Sequence, residues 1–147
     1  MNLELKPTGI IRSPYKNGKG VPIQPSFSGE TGEIEVFKEY EPGLRDIEGF
    51  SHIIVLYLFY ESGGYKLHVR PYLDENLRGL FAIRAPLRPN PIGLSIVKLI
   101  ERRGNILRVG GIDVIDETPL LDIKPYVPEF DQRDNVRIGW LEGKIKK

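Results

Sequence analysis

The sequence contains no cysteine and only two histidines, His52 and His68. The absence of cysteine excludes disulfide bonds, thiolate catalysis and cysteine-based zinc sites, and two histidines disfavour a histidine-based metal centre or catalytic triad. No apolar run approaches the roughly 20 residues needed to cross a bilayer, since the longest, residues 53–60, has the length of a strand. The first residues lack the apolar stretch of a signal peptide, so we expect a cytoplasmic protein.

Several nucleotide and hydrolase motifs are also missing. The sequence has no glycine-rich dinucleotide fingerprint, no phosphate-binding lysine loop and no serine nucleophile elbow. Strands and helices do not alternate along the chain, which disfavours a Rossmann-type nucleotide enzyme.

The charge is balanced overall and uneven locally. The net charge is +1, with 28% charged and 40% hydrophobic residues, a composition typical of a globular protein. Residues 61–103 carry eight basic against four acidic side chains, whereas residues 30–48 carry seven acidic against two basic ones. The basic middle is compatible with a surface that faces phosphates, and equally with a solvated surface that averages out in the fold.

Short apolar runs separated by Gly and Pro predict an all-β protein. We expect strands over 8–12, 33–37, 52–60, 67–70, 92–101 and 106–115, the last two joined by a hairpin, and a helical turn over 41–47. These elements predict a single compact β-barrel domain over 1–147 with short helical turns, its last residues, 143–147, frayed.

Two proline-rich segments carry the polar side chains that can do chemistry. They are Phe81-Ala-Ile-Arg-Ala-Pro-Leu-Arg-Pro-Asn-Pro-Ile-Gly-Leu-Ser95 and Asp116-Glu-Thr-Pro-Leu-Leu-Asp-Ile-Lys-Pro-Tyr-Val-Pro128. Because proline fixes φ and lacks an N–H donor, neither segment is expected to be a helix interior or a central strand. Stiff loops on a scaffold favour binding and catalysis, so we predict that the two segments form the walls of one site.

The charged residues of these segments allow two interpretations each. Arg84 and Arg88 can hold a carboxylate or phosphate, or can be surface arginines paired with a carboxylate. Asp116 and Asp122 can act as general bases or face a cation; alternatively Asp116 caps a turn and Asp122 pairs with Lys124 or an arginine. Tyr126 can contact a ligand or belong to the core.

Several motifs together resemble one family. Gly9-Ile-Ile-Arg-Ser-Pro-Tyr15, Gly49-Phe-Ser-His52, Arg88-Pro-Asn-Pro-Ile-Gly93 and Thr118-Pro-Leu-Leu-Asp-Ile-Lys-Pro-Tyr126 occur in the order found in the TsaA-like (TrmO-type) tRNA methyltransferase family. The resemblance covers nearly the whole chain. It implies a homodimeric β-barrel enzyme that uses S-adenosylmethionine, without a metal, to methylate N6 of N6-threonylcarbamoyladenosine in the anticodon loop of tRNA.

The resemblance also implies roles for individual residues. The cofactor is expected to contact residues of five parts of the chain: Pro25, Ser26, Phe27, Tyr60, Glu61, Arg84, Val109, Pro119, Leu120, Leu121 and Asp122. From the chemistry of the side chains we further expect Arg84 to hold the methionine carboxylate and Arg88, with Lys66 or Arg70, to meet tRNA phosphates. The same chemistry makes Asp116, Asp122 and Tyr126 the candidates for the general base, with the threonyl carboxylate of the substrate as the alternative.

The sequence departs from the family pattern at a few of these places. Thr and Ser are expected where Ile83 and Ala85 stand, and His and Gln where Tyr60 and Glu61 stand. Glu117 replaces a glycine that commonly precedes the Thr-Pro pair; if that glycine serves a positive φ, the turn must differ here.

Two alternatives remain at this point. One is an enzyme that uses the same cofactor on a small metabolite or another RNA. The other is a non-enzymatic RNA-binding barrel that uses the basic middle and exposed aromatic side chains, such as Tyr57, Tyr65 and Tyr72, for stacking.

Overall fold

The computed structural model describes residues 1–16, 29–59, 63–72 and 74–145. The chain divides into two compact units, one formed by Met1–Tyr60 with Ile92–Tyr126 and the other by Glu61–Pro91 with Val127–Lys147. A single domain over the whole chain stays a prediction.

Short strands dominate the described residues. In chain order they are β1 (Gly9–Arg12), β2 (Thr31–Val36), β3 (His52–Leu58), β4 (His68–Val69), β5 (Arg78–Gly79), β6 (Ile92–Arg103), β7 (Ile106–Gly110) and β8 (Thr118–Pro125). The helical segments are 3₁₀ turns and one short α-helix: Lys38–Leu44, Ile47–Gly49, Leu80–Ala82, Gly139–Leu141 and α1 (Pro128–Asp131).

Six strands of the first unit close into an antiparallel barrel. The order around the barrel is β1-β2-β7-β6-β3-β8, and β8 pairs with β1 to complete the closure. Alternate residues of each strand point inward, which buries a continuous core; Ile11, Ile34, Ile53, Leu107 and Leu120 are fully excluded from solvent. The predicted all-β barrel is therefore confirmed.

The strand β8 corrects one prediction. The segment after Glu117 was expected to be a stiff loop and not a central strand, yet Thr118–Pro125 is hydrogen-bonded between β1 and β3. The prolines fit because of where they stand. Pro119 pairs only with β1 and Pro125 only with β3, so the donor that each proline lacks falls on a side with no neighbouring strand.

The hairpin between β6 and β7 forms where the sequence predicts it. Gly104 adopts a left-handed φ of 57° at its tip, and the side chain of Asn105 donates to the carbonyl of Val36 at 2.8 Å. β7 ends at Gly110, five residues before the predicted end, because residues 111–117 leave the sheet to reach the start of β8.

The second unit holds the short β4–β5 pair and is stabilised by polar contacts. Asp74 accepts hydrogen bonds from Arg78 and from Lys144 of the chain's last turn, and its side chain is only 3% exposed. The guanidinium of Arg78 also lies over the ring of Trp140, whose indole N–H donates to the carbonyl of Ala82 at 2.8 Å. These contacts connect residues 128–145 to the proline-rich segment within this unit.

Candidate functional site

The turn that leads into β8 is fixed by contacts with the residues after β1. The main-chain N–H of Ser13 donates to Oδ1 of Asp116 at 2.9 Å, and Lys16 donates to Oδ2 at 2.8 Å. The N–H of Asp116 in turn donates to the carbonyl of Tyr15 at 3.0 Å. The hydrogen bond from Lys16, aided by that from Ser13, lowers the pKa of the Asp116 carboxyl. Asp116 is therefore an ionised group that suits a cationic ligand better than it suits proton abstraction.

Glu117 keeps the backbone conformation that a glycine would take. Its φ is +66°, in the left-handed region that residues with a Cβ adopt at a cost. Glu117 therefore carries strain of about 1–3 kcal/mol beside Asp116.

A cleft of about 420 Å³ opens at this turn. Basic and acidic side chains line it together: Arg12, Lys16, Arg108, Glu33, Asp116 and Glu117. A zwitterionic amino-acid group needs both kinds of partner, one for its carboxylate and one for its ammonium. The donor set therefore fits the methionine end of S-adenosylmethionine.

A second cleft, of about 400 Å³, lies at the other end of β1. It is lined by Thr8, Tyr40, Leu120, Asp122 and Ile123 among others. The two candidate carboxylates thus line different clefts, because Asp116 stands before β8 and Asp122 stands in its second half.

The pairing of β8 with β3 is irregular at the predicted cofactor residues. Leu120 pairs with Tyr57 and Asp122 with Leu56, so Leu121 is an extra residue opposite β3. Such bulges bend a strand and redirect its side chains, and they are frequent beside functional sites. The bulge therefore marks the Pro119–Asp122 stretch as the irregular part of the barrel wall.

Asp122 and Tyr126 have local partners. Asp122 accepts from Lys124 at 2.8 Å and from the N–H of Ile123 at 2.9 Å, which is the pairing that the sequence left open. Tyr126 is half-buried, its N–H donates to the carbonyl of His52 at 3.1 Å, and its ring meets the His52 ring edge-on at 6.5 Å. Either polar group remains a candidate base.

A buried polar chain inside the barrel unit was missed by the sequence analysis. The hydroxyl of Tyr57 lies 2.8 Å from Oγ of Ser95, which donates to Oδ1 of Asp113 at 2.6 Å. Burial raises the pKa of Asp113 to about 6 and that of Tyr57 to about 12. The signal in the sequence for this buried group was Asp113, the single acid within the apolar run 112–115. The expectation that Tyr57 is exposed for stacking is wrong, since it is 4% exposed and its hydroxyl is used internally.

The basic candidates belong to the second unit. Arg88 donates to the carbonyls of Ile83, Ala85 and Leu80 at 2.9–3.1 Å, so its guanidinium holds the proline-rich segment in shape. Arg84, Lys66 and Arg70 are exposed. Because Arg84 belongs to one unit and the Thr118–Asp122 stretch to the other, the meeting of the two walls stays a prediction.

The remaining predicted cofactor residues are either outside the described residues or buried in the core. Pro25, Ser26, Phe27, Tyr60 and Glu61 lie outside the described residues. The side chain of Val109 is fully buried in the core, which leaves only its main chain for contact with a ligand.

Two kinds of feature are absent from the described part of the chain. No helix there is long and apolar enough to cross a membrane. The same residues contain no group of three or more acidic or histidine side chains that could hold a metal ion.

Comparisons with known proteins agree on one family. The family model of the tRNA-methyltransferase O N-terminal domain matches residues 10–132. A probable S-adenosyl-L-methionine-binding protein of Pyrococcus abyssi is 58% identical over 143 residues, which cover 97% of this chain and 78% of that protein. The tRNA (adenine(37)-N6)-methyltransferase of Escherichia coli is 41% identical, over 86% of this chain and 59% of the enzyme.

Solved structures show the same architecture. The crystal structure of TrmO from Pseudomonas aeruginosa matches with a TM-score of 0.80 and 34% identity, over 95% of this chain and 63% of that one. The chain thus spans less than two thirds of this structure and of the Escherichia coli enzyme. On the family match and these relatives together, the chain belongs to the tRNA-methyltransferase O N-terminal domain family.

Proposed function

We propose that this protein is a cytoplasmic methyltransferase that takes a methyl group from S-adenosylmethionine and places it on N6 of N6-threonylcarbamoyladenosine in tRNA. The observation that carries the proposal is the 41% identity to the Escherichia coli tRNA (adenine(37)-N6)-methyltransferase over most of this chain. The mixed-charge cleft at the β1–β8 turn supports the cofactor, because its carboxylates offer partners for the ammonium group of the methionine end.

The residues divide into three roles. The cofactor-binding set is the one that the sequence predicts, and Arg84 receives the methionine carboxylate. Lys66 and Arg70 meet RNA phosphate, whereas Arg88 adds to that surface while it supports the segment that carries Arg84. When bound, S-adenosylmethionine supplies an activated methyl group on a sulfonium, so the protein needs to position the acceptor rather than activate the donor.

Deprotonation of the acceptor is the other requirement. The target nitrogen is urea-like, and a positioned base contributes about 10²–10⁴-fold to such a transfer. Asp116 is the weakest of the three candidates because its hydrogen bonds lower its pKa. Asp122 and Tyr126 stay as candidate bases, and Asp116 is assigned to a cationic group of the ligand.

A second acceptor class has one specific observation in its favour. The Pyrococcus abyssi relative is named only as a probable S-adenosyl-L-methionine-binding protein. The alternative is therefore an enzyme with the same cofactor and a different acceptor, another RNA or a small metabolite. A non-enzymatic RNA-binding barrel loses one of its three proposed stacking groups, because Tyr57 is buried.

One assay separates these functions. Purified protein is incubated with isotopically labelled S-adenosylmethionine and tRNA that carries or lacks the threonylcarbamoyl group, and the nucleosides are analysed by mass spectrometry. Label only in the modified adenosine supports the proposal. Cofactor binding in calorimetry without methylation of either tRNA favours the second acceptor class, and no cofactor binding removes the enzyme proposal. The variant Arg84→Ala should weaken cofactor binding, with Lys98→Ala on β6 as a control.

We further propose that the protein is a homodimer. The outer face of β6 carries apolar side chains that are 39–48% exposed: Ile92, Leu94, Ile96 and Ile100. Across the sheet Ile96 pairs with Ile54 and Leu94 with Leu56, which widens the stripe on β3. A stripe of this kind favours contact with a second copy. Light scattering should give twice the monomer mass for the wild type and a monomer for Ile96→Lys, with Arg108→Ala as the control; a monomeric wild type contradicts the dimer.

A further inference from the structure

The buried chain of Tyr57, Ser95 and Asp113 has a fixed direction. Ser95 has a single hydroxyl proton, and it donates that proton to Asp113. The hydroxyl of Tyr57 must therefore donate to Ser95, so the chain runs from Tyr57 through Ser95 to the carboxyl group. The three side chains are 4%, 2% and 9% exposed, which leaves little room for water to replace any one of these bonds.

The Tyr57 end of this hydrogen-bonded chain is held rigidly. Tyr57 packs edge-on against Phe59 at 5.4 Å, and its ring lies directly over Gly93. A Cβ at position 93 would approach the ring to 2.3 Å, so only a glycine permits this contact. The hydroxyl of Tyr57 is thus presented to Ser95 from one fixed position.

The Asp113 end of this hydrogen-bonded chain lies in the segment that forms the cleft. Residues 111–117 connect β7 to β8, and within them Ile112 and Val114 fill the core on either side of Asp113. Asp113 is the side chain through which this segment bonds to β6, whereas Ser13 bonds the carbonyl of Val114 at 2.6 Å. The same segment carries Asp116 and the strained Glu117 to the cleft.

We propose that Asp113 is a positioning residue: through Ser95 and Tyr57, its charge state sets how firmly the segment 111–117 is held, and thereby the affinity of the cleft for S-adenosylmethionine. This inference rests on the proposed function for its ligand. Asp113 itself does not touch the ligand in this scheme, and it acts through the placement of Asp116.

The titration falls in an accessible range. Tyr57 on β3 and Ser95 on β6 are the groups that face Asp113 among the described residues, and Tyr57 stays neutral because its pKa is raised to about 12. Burial raises the pKa of Asp113 to about 6. Above this pH the buried carboxyl carries a charge that burial disfavours, so the segment is held less firmly than it is by the neutral acid.

The test is calorimetric titration of S-adenosylmethionine into the full chain between pH 5 and pH 8. The wild-type affinity should fall about fivefold from pH 5 to pH 7, because ionisation of the buried Asp113 loosens the segment that carries Asp116 to the cleft. Asp113→Asn should remove this dependence, because the amide does not titrate. Ser95→Ala should move the midpoint to higher pH, since the hydrogen bond from Ser95 lowers the pKa of Asp113.

The outcomes separate this inference from the proposed function. Binding with a flat wild-type profile, or an Asp113→Asn profile with the wild-type midpoint, overturns the role of Asp113 alone. Absence of binding at every pH overturns the cofactor assignment as well. Circular dichroism at each pH establishes that the variants are folded, and if Asp113→Asn does not fold, the shifted midpoint of Ser95→Ala decides the question.

Discussion

Ser13 and Asp116 are 103 positions apart in the chain, and the main-chain N–H of Ser13 donates to Oδ1 of Asp116 at 2.9 Å. This bond joins the end of β1 to the turn before β8, the two strands through which the barrel closes. Closure of the barrel and formation of the mixed-charge cleft therefore depend on the same carboxylate.

Removing the Asp116 carboxylate should reduce stability in a pH-dependent way. Asp116→Ala leaves the N–H of Ser13 without its partner, which costs about 1–3 kcal/mol of unfolding free energy at pH 7. Because the folded-state pKa of Asp116 is lowered, its contribution is complete above the unfolded value and is lost as the pH falls through the folded value. Urea unfolding at pH 7 and pH 3 measures this, and equal losses at both pH values contradict it. The control Lys16→Ala, at an exposed position, should cost at most about 1 kcal/mol.

Glu117 gives a prediction with opposite signs for two substitutions. Glu117→Gly relieves the left-handed strain but adds freedom to the unfolded chain, so we expect a net gain of about 0–1 kcal/mol. Glu117→Val should destabilise by about 1–2 kcal/mol, because a β-branched residue fits this conformation worst. Thermal unfolding of both variants provides the comparison. A Val variant as stable as the Gly variant would show that the turn does not hold a positive φ.

Asp113 should make the protein less stable as the pH rises. Its pKa is raised to about 6 in the folded state, above the unfolded value, so its contribution is fully present below the unfolded pKa and is lost as the pH rises through about 6. The loss amounts to about 3 kcal/mol for a shift of this size. Asp113→Asn should flatten the stability profile between pH 4 and pH 7, as measured by denaturant unfolding. A variant that loses stability over this range as steeply as the wild type contradicts the shift.

Replacing Arg88 should loosen the structure of its own unit, an effect separate from any change in RNA binding. Arg88→Ala removes the guanidinium hydrogen bonds to three main-chain carbonyls, of which that of Leu80 keeps the N–H of Ile83 as a donor, and we expect increased hydrogen exchange over residues 80–88. Arg88→Lys keeps the charge but cannot reproduce the forked contacts, so exchange should also rise while the salt dependence of tRNA binding is kept. If exchange is unchanged in both variants, the three hydrogen bonds do not hold this segment.

The barrel could be predicted from the sequence because its signals are local. Apolar alternation marks β2, β3 and β6, and Arg103-Gly104-Asn105 marks the hairpin that leads into β7. Strand β8 could not be predicted in the same way. Prolines argue against a strand unless each lies where a neighbour is missing, and that depends on the pairing of β8 with both β1 and β3.

The functional site shows the same difference between features that local sequence predicts and features that depend on tertiary contacts. The sequence singled out Asp116 and Asp122 as polar groups in a stiff segment, but the structure places them in different clefts. Asp113 passed unnoticed because an acid in an apolar run acquires meaning only when burial and a partner such as Ser95 are known.

The sequence by itself determined the fold class, the hairpin and the family, since strand periodicity, turn residues and motif order are properties of neighbouring positions. Tertiary structure decided which carboxylate is ionised, which is buried and which tyrosine is internal. Those properties come from desolvation and from hydrogen bonds between residues about 40 to 100 positions apart, such as Tyr57 with Ser95 and Ser13 with Asp116, and they exist only when the barrel closes.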